Sequence, residues 1–393
     1  MASNGGFQGR EVVIAEAVRT PIGRGHPEKG YYREVHPSTL LARCYTEALE
    51  RAGIDPSEVD DVISGCVQQF GEQAMNIGRN AWLEAGLPVE VPATTVDRQC
   101  GSAQQAVNFA AALIASGVCD VAVGGGVEHM GHISFADGFE VMQNHGAPFS
   151  TPLMERFNLV SQGISAEMIA DRWEISRPEL DEIALRSHRL AHQATEEGRF
   201  EREIVPFAVN GDTHVTDQGI RPETSLERLA ELKPAFKEDG KVTAGNSSQV
   251  SDGAAALILA SREKAEALGL TPRARIVDQT TVGVDPVLML TGPIPASRKL
   301  LERNGMSVED VDLFEVNEAF ASVLAAWRRE LEPDMDRVNV NGGAIALGHP
   351  LGSTGARLLT SLLHELERTD REVGMVTMCC GGGLGTGTLI QRV

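Results

Sequence analysis

Cysteine is scarce in this chain of 393 residues, and the six present carry neither metal-binding nor redox spacing. They are Cys44, Cys66, Cys100, Cys119, Cys379 and Cys380. A C-x-x-C pair is missing, so a structural zinc site and a dithiol redox centre both fit poorly. Positive charge is short too: the formal net charge is −20, and lysine is rare, 6 against 29 arginines. That balance argues against nucleic acid and anionic membrane surfaces as partners, while leaving room for one basic pocket. No apolar run is long enough to cross a membrane. The longest weakly polar stretch, Ala103 to Val127, is broken by Asn108, Ser116, Gly117 and Asp120, and reads as a core helix followed by a core strand. The start MASNGGFQGR has no apolar signal core, and the ending QRV is no peroxisomal address. A cytoplasmic enzyme with reduced thiols is expected.

What is abundant is glycine, 41 residues, beside 42% hydrophobic and only 5% aromatic residues. This is the composition of a small-residue-rich α/β enzyme, long enough for two or three domains and a substantial core. The sequence also repeats itself. Gly53-Ile-Asp-Pro-Ser-Glu58-Val59-Asp60-Asp61-Val62 parallels Gly305-Met-Ser-Val-Glu309-Asp310-Val311-Asp312-Leu313-Phe314 at an offset of 252. Each reads as a helix end, a glycine stop, a short turn and a strand entry. Cys100-Gly101-Ser102-Ala103 lines up with Leu351-Gly352-Ser353-Thr354, each opening a helix. A strand expected to end in three glycines follows both helices, at Val121–Gly126 and Met375–Gly383. Two homologous α/β halves follow from this register, each with a mostly parallel sheet covered by helices. The expected division is 1–127, completed by 250–275, for the first half and 276–393 for the second. Residues 128–249 have no counterpart and read as an inserted loop domain, placed to build a substrate-binding wall.

Chemistry concentrates in residues 339–387. A glycine-dense turn delivers His349 to a helix start, and a short apolar strand delivers Cys379 to a triple-glycine turn. Glycines let backbone approach a ligand closely and present N–H groups freely. An imidazole and a thiol offered this way suit acyl chemistry on a thioester. Cys100 opens a helix, whose dipole favours thiolate. On spacing alone it reads equally as a nucleophile or as a small buried residue. A lone His349 would read as a capping or core histidine, and Asn317 as an Asx turn at a strand end.

Taken together, VDRQCGSAQQA around Cys100, VNEAFA from Val316 to Ala321, NGGAIALGHPLGSTGAR around His349 and MCCGGGLGTG around Cys379 resemble the thiolase family. TPIG at Thr20–Gly23 and TAGNSSQVSDGAAA at Thr243–Ala256 add to the likeness, which spans essentially the whole chain. GCVQQ (Gly65–Gln69) and GGVEHMGH (Gly125–His132) look most like degradative 3-ketoacyl-CoA thiolases. The resemblance implies a duplicated α/β fold with a layered αβαβα core. It implies Cys100 as nucleophile, His349 as its base, and Asn317 as holder of a water that, with His349, binds the thioester oxygen. Cys379 becomes the acid/base at the α-carbon, since the family's active cysteine stands two residues before the glycine triplet; strand alternation turns Cys380 away. The N–H groups of Cys100 and Gly381 would form an oxyanion hole, such donors contributing about 3–4 kcal/mol each. Ser248 and Arg221 match positions that meet the pantetheine arm and nucleotide end of CoA, and Ala319 and Phe320 belong to the substrate-binding set.

The expected reaction is ping-pong thiolysis of a 3-ketoacyl-CoA by CoA, with CoA as substrate and no metal or redox cofactor. Ser161-Gln162-Gly163 stands where short-chain biosynthetic thiolases carry His-Met-Gly, which favours a longer or bulkier acyl chain over acetoacetyl-CoA alone. Acetoacetyl-CoA thiolase, condensing two acetyl-CoA, is the alternative, and a non-catalytic acyl-CoA or lipid carrier is a remote one. A decarboxylating ketoacyl synthase would need a second active histidine in place of Cys379, and the glycine clusters lack the G-x-G-x-x-G entry of a dinucleotide site. The family implies a homodimer or homotetramer, in some members bound to a hydratase/dehydrogenase subunit of a β-oxidation complex.

Overall fold

The computed structural model describes residues 9–393. In chain order, the first half holds β1 (Val12–Arg19), β2 (Gly23–Arg24), α1 (Pro37–Ala52), β3 (Asp61–Gly65), α2 (Ile77–Glu84), β4 (Ala93–Val96), α3 (Ser102–Ala115) and β5 (Val121–His129). A long excursion follows, with α4 (Phe135–His145), α5 (Thr151–Arg156), α6 (Gln162–Arg172), α7 (Arg177–Glu196), β6 (Phe207–Val209), β7 (Asp212–His214) and α8 (Leu226–Ala230). The chain then returns as β8 (Ser251–Ser261) and α9 (Arg262–Leu268). The second half runs β9 (Ala274–Gly283), α10 (Pro293–Asn304), β10 (Leu313–Val316), α11 (Ala321–Leu331), α12 (Ala344–Leu347), α13 (Thr354–Arg368), β11 (Val373–Cys380) and β12 (Leu384–Arg392).

The repeat seen in the sequence is a repeat of local structure. α1 ends at Gly53 and α10 at Gly305, both left-handed (φ 69° and 63°), the conformation glycine adopts without cost. A single 3₁₀ turn then leads into β3 and into β10. The strands join in the order β10-β11-β12-β9-β1-β8-β5-β3-β4, with a short β1–β9 seam at Val13–Arg275 and Ile14–Ala274 linking the two half-sheets.

Two expectations change here. The sheet is not mostly parallel: β3 pairs in parallel with β4 and β5, and β10 with β11, but every other pair is antiparallel. The reason is the last strand of each half, which returns against its predecessor. β12 follows β11 after only three residues, a link that permits no parallel crossover. The first glycine triplet also does not end a strand. Gly124–Gly126 lie inside β5, where a side chain would meet Val107 Cα, Ala255 O or, at 2.1 Å, Gly352 O. They allow close backbone approach, whereas Gly382 and Gly383 (both φ 78°) make the turn after β11.

α3 and α13 pack on one another between the two half-sheets. Their apolar faces, Ala103, Val107 and Ile114 against Leu359, Leu362 and Leu366, form one core cluster with both sheets. α1 and α2 cover the outer face of the first half-sheet, and α10 and α11 that of the second. This is the αβαβα layering, and it sets the N-termini of α3 and α13 at the centre of the molecule.

Candidate active site

Cys100 ends the loop from β4 to α3. Gln99 before it adopts φ 51°, rare for a residue with a side chain, and Ser102 Oγ fixes the turn by accepting from Arg98 N (2.8 Å) and donating to Gln99 O (2.6 Å). Gly101 has no room for a Cβ, which would lie 2.7 Å from Cys380 Sγ and 2.9 Å from Thr386. The thiol is buried, and the N–H groups of Cys100 itself and Gly381 both point at its sulfur. The helix start alone predicts a lowered thiol pKa. Burial outweighs it and pushes Cys100 up to about 11, against the pull of those two N–H groups. The resting group is therefore a thiol, and a base must take its proton as it attacks.

His349 is the candidate for that base. It is buried in the loop before α13, its backbone N–H held by Gln249 O and Ser251 Oγ, both at 3.3 Å. Thr354 Oγ1 gives its one proton to Pro350 O (2.8 Å), so it accepts from His349 Nδ1 at 2.7 Å. Nε2 is left with its lone pair, and Asn317 Nδ2 donates to it at 3.3 Å. Burial, reinforced by the charge of Arg357, lowers the imidazole to about 3, so it is neutral at working pH. Asn317 follows β10, its N–H bonded to Thr377 O (3.1 Å), and its Oδ1 is buried without a protein partner. That spare acceptor fits a bound water.

Cys379 and Cys380 end β11 on opposite faces. Cys379 belongs to the apolar cluster that also holds Leu288, Met289, Ala319 and Phe320, and burial holds its pKa well above the usual thiol range. Cys380 sits beneath Gly101, its sulfur 2.7 Å from where a side chain there would begin, and beside Thr386. Both thiols lie close enough to Cys100 for its charge to be felt. Only Cys379 shares its surroundings with Ala319 and Phe320.

The candidate CoA-binding residues lie near one another. Ser248 N donates to Ala319 O (3.0 Å), and Ser247 pairs with Phe320. Ser247, Ser248 and Gln249 line a groove of about 390 Å³ with Arg24, Arg221 and Phe236. Its inner end abuts His349 through Gln249. Arg221 is held at the outer rim by His188 Nδ1, which accepts its N–H at 3.2 Å. The sequence reading gave no role to three residues here, and marked a fourth, Gln162, only as part of the acyl-pocket segment. Thr354 orients the His349 ring. Phe236 packs edge-on against Phe320 (5.9 Å) and fills the space that Gly163 leaves open. Gln99 and Gln162 reach to Gly381, their amide atoms 3.1 and 3.0 Å from where a side chain there would begin. None of these carries a spacing signal, because each is assembled from a different element.

Among the described residues, no cluster of three or more His, Cys, Asp or Glu is placed to hold a metal, and no helix is long and apolar enough to cross a membrane. Two family models match, the thiolase N-terminal domain over residues 12–263 and the thiolase C-terminal domain over 270–392. The chain is 46% identical to the steroid 3-ketoacyl-CoA thiolase FadA6 of Mycobacterium tuberculosis, covering 98% of this chain and 94% of that protein. It is 45% identical to the 3-ketoacyl-CoA thiolase of Marinobacter nauticus, over 98% and 99% of the two chains. The crystal structure of the Bacillus anthracis acetyl-CoA acetyltransferase superposes with a TM-score of 0.88 at 42% identity, over 98% of this chain and all of that one.

Proposed function

This chain belongs to the thiolase family, and from that premise we propose how its residues carry out the reaction. The enzyme is an acyltransferase that cleaves a 3-ketoacyl-CoA with CoA, yielding acetyl-CoA and a shortened acyl-CoA in β-oxidation. Cys100 Sγ attacks the 3-keto carbon while His349 Nε2 takes its proton. The C2–C3 bond breaks, and Cys379 protonates the departing acetyl-CoA enolate, whose oxygen is held by His349 and the water on Asn317. The acyl group stays on Cys100 with its carbonyl oxygen at the N–H groups of Cys100 and Gly381. CoA then enters along the groove of Ser248 and Arg221, past Ala319 and Phe320; its thiol passes its proton to the Cys379 thiolate as it attacks the thioester, and Cys100 leaves with the proton held by His349. CoA is the substrate, and no step needs a resident cofactor.

The observation that carries this reading is a buried Cys100 whose sulfur two backbone N–H groups address, together with a neutral histidine whose Nε2 carries no proton and accepts from Asn317. Thiolysis measured across a 3-ketoacyl-CoA chain-length series tests it. Turnover of chains longer than acetoacetyl-CoA supports the degradative reading. Activity confined to acetoacetyl-CoA would return the assignment to the condensing alternative, which the names of the relatives do not favour.

We place the enzyme in the cytoplasm, in line with six free, buried thiols. A homodimer or homotetramer is the proposed assembly. β4 is a sheet edge, and Phe109 of α3 stands 43% exposed beside it, so a second copy has a strand and an apolar surface to pair with. We also retain the division into two halves around an insert between β5 and β8, and set the seam of the halves in the 269–273 turn so that β9 stays whole.

A further inference from the structure

Arg221 stands between two cavities. On its inner side is the groove of Ser247, Ser248 and Gln249, which also holds Arg24, whose Nε is buried with no hydrogen-bond partner. On its outer side is a cleft of about 410 Å³ between α7 and the 221–224 turn. Glu182, Leu185, Arg186, Arg189 and His192 line it from α7, at the three- and four-residue spacing of one helix face. His188, buried on the same helix, fixes the opposite wall by accepting the Arg221 N–H at 3.2 Å. Burial lowers its imidazole to about 4, so the ring is a neutral acceptor and adds no charge.

The chain carries 55 acidic against 35 basic side chains, yet here three arginines share a cleft with one carboxylate, Glu182. Among the described residues, none of the three forms an ion pair. Arg186 gives Nη2 to Met335 O (2.6 Å) and Val338 O (2.9 Å), which fixes its guanidinium without neutralising it. Arg221 Nη2 reaches only the neutral Gln249, at 3.4 Å. Arg189 is exposed and makes no hydrogen bond, and Glu182 does not close on Arg186 four residues on. On α1, by contrast, Arg43 and Arg51 both close on Glu47 at 2.7 Å. Guanidinium groups left without carboxylates in a concave site suit a multivalent anion, and their planar forks match a phosphate.

CoA presents its groups in a fixed order from the thiol outward: the pantetheine arm, the diphosphate, then the ribose with its 3′-phosphate. A thiol at Cys100 and an arm along Ser248 bring the diphosphate to Arg24 and Arg221, and the next anion meets the next cationic surface. We propose that the cleft between α7 and the 221–224 turn receives the 3′-phosphate of CoA, with Arg189 as the residue that makes the enzyme prefer CoA to its dephospho form. This rests on the reading of the chain as a CoA-dependent thiolase whose groove carries the pantetheine arm. Arg186 supplies a fixed charge at the same cleft, and Glu182 limits the attraction.

The test compares ligands that differ only in that phosphate. In thiolysis, KM for dephospho-CoA divided by KM for CoA should be about tenfold in the wild type, about twofold in Arg189→Gln, and within about threefold of the wild type in Arg189→Lys. Glu182→Gln should raise the ratio. Both side chains are exposed, so neither change disturbs the core. Arg262→Gln removes an equal charge at a site paired with Glu11 and should leave the ratio where it was. A ratio near one in the wild type, or an undiminished ratio in Arg189→Gln, would overturn the proposal. Calorimetry with adenosine 3′,5′-bisphosphate against adenosine 5′-phosphate reads the same preference without turnover, and a wild type that binds the two alike would also overturn it. A chain inactive in thiolysis that prefers the bisphosphate, and loses that preference in Arg189→Gln, would sink the proposed function and uphold the cleft.

Discussion

His349 donates through Nδ1 to Thr354 Oγ1 at 2.7 Å, and that bond decides which nitrogen faces the chemistry. Because the threonine hydroxyl spends its own proton on Pro350 O, the ring has one tautomer available, with an unprotonated Nε2 that accepts from Asn317. Thr354→Val keeps the shape and removes the acceptor. It should lower kcat by about 10–100-fold with little change in KM, the cost of leaving a buried donor unpaired. Thr354→Ser should stay within a few-fold of the wild type. Steady-state kinetics on both variants checks this.

Cys100 at about 11 and His349 at about 3 leave no standing thiolate–imidazolium pair at neutrality. A thiol whose pKa is raised is protonated below that value and gains nucleophilicity as pH climbs towards it. Iodoacetamide alkylation of Cys100 in the free enzyme should therefore rise by about tenfold per pH unit between roughly 7 and 10. A plateau already reached at pH 7 would mean a preformed thiolate.

Cys379 and Cys380 are neighbours with opposite surroundings, and their variants should part company. Cys379→Ala should lose exchange of the acetyl-CoA α-proton with solvent yet still accept an acetyl group on Cys100. Cys380→Ala should retain both, because its sulfur lies beneath Gly101 and away from Ala319 and Phe320. Proton-exchange NMR and intact-protein mass spectrometry read the two steps separately.

Gly53 and Gly126, both in the first half, differ in what they protect. Gly53→Ala introduces only a left-handed alanine into open space and should cost about 1 kcal/mol. Gly126→Ala drives a methyl to 2.1 Å from Gly352 O, in the loop that carries His349. It should cost several times more and lower activity in whatever protein folds, as thermal melts and kinetics would show.

The sequence exposed what is local and periodic. The matched helix stops at Gly53 and Gly305, the apolar faces of α3 and α13 and the motifs around Cys100, His349 and Cys379 are all written in neighbouring residues. The antiparallel return of β8 and β12 was not legible, since strand direction depends on which partner a strand meets. Nor were Thr354, Phe236 and Gln99, whose meaning comes from side chains converging out of separate elements. The direction of the Cys100 pKa was misread for a related reason: the helix start is visible in the sequence, and the burial that outweighs it is not.

The central claim is that the acyl group passes through Cys100. Incubation with a 3-ketoacyl-CoA in the absence of free CoA, quenched in acid and digested, should show the acyl mass on the peptide containing Cys100 and nowhere else. Addition of CoA should discharge it, and the same acylation should protect Cys100 from iodoacetamide. Acyl mass on the peptide of Cys44, Cys66 or Cys379, or turnover with Cys100 never acylated, would contradict the account.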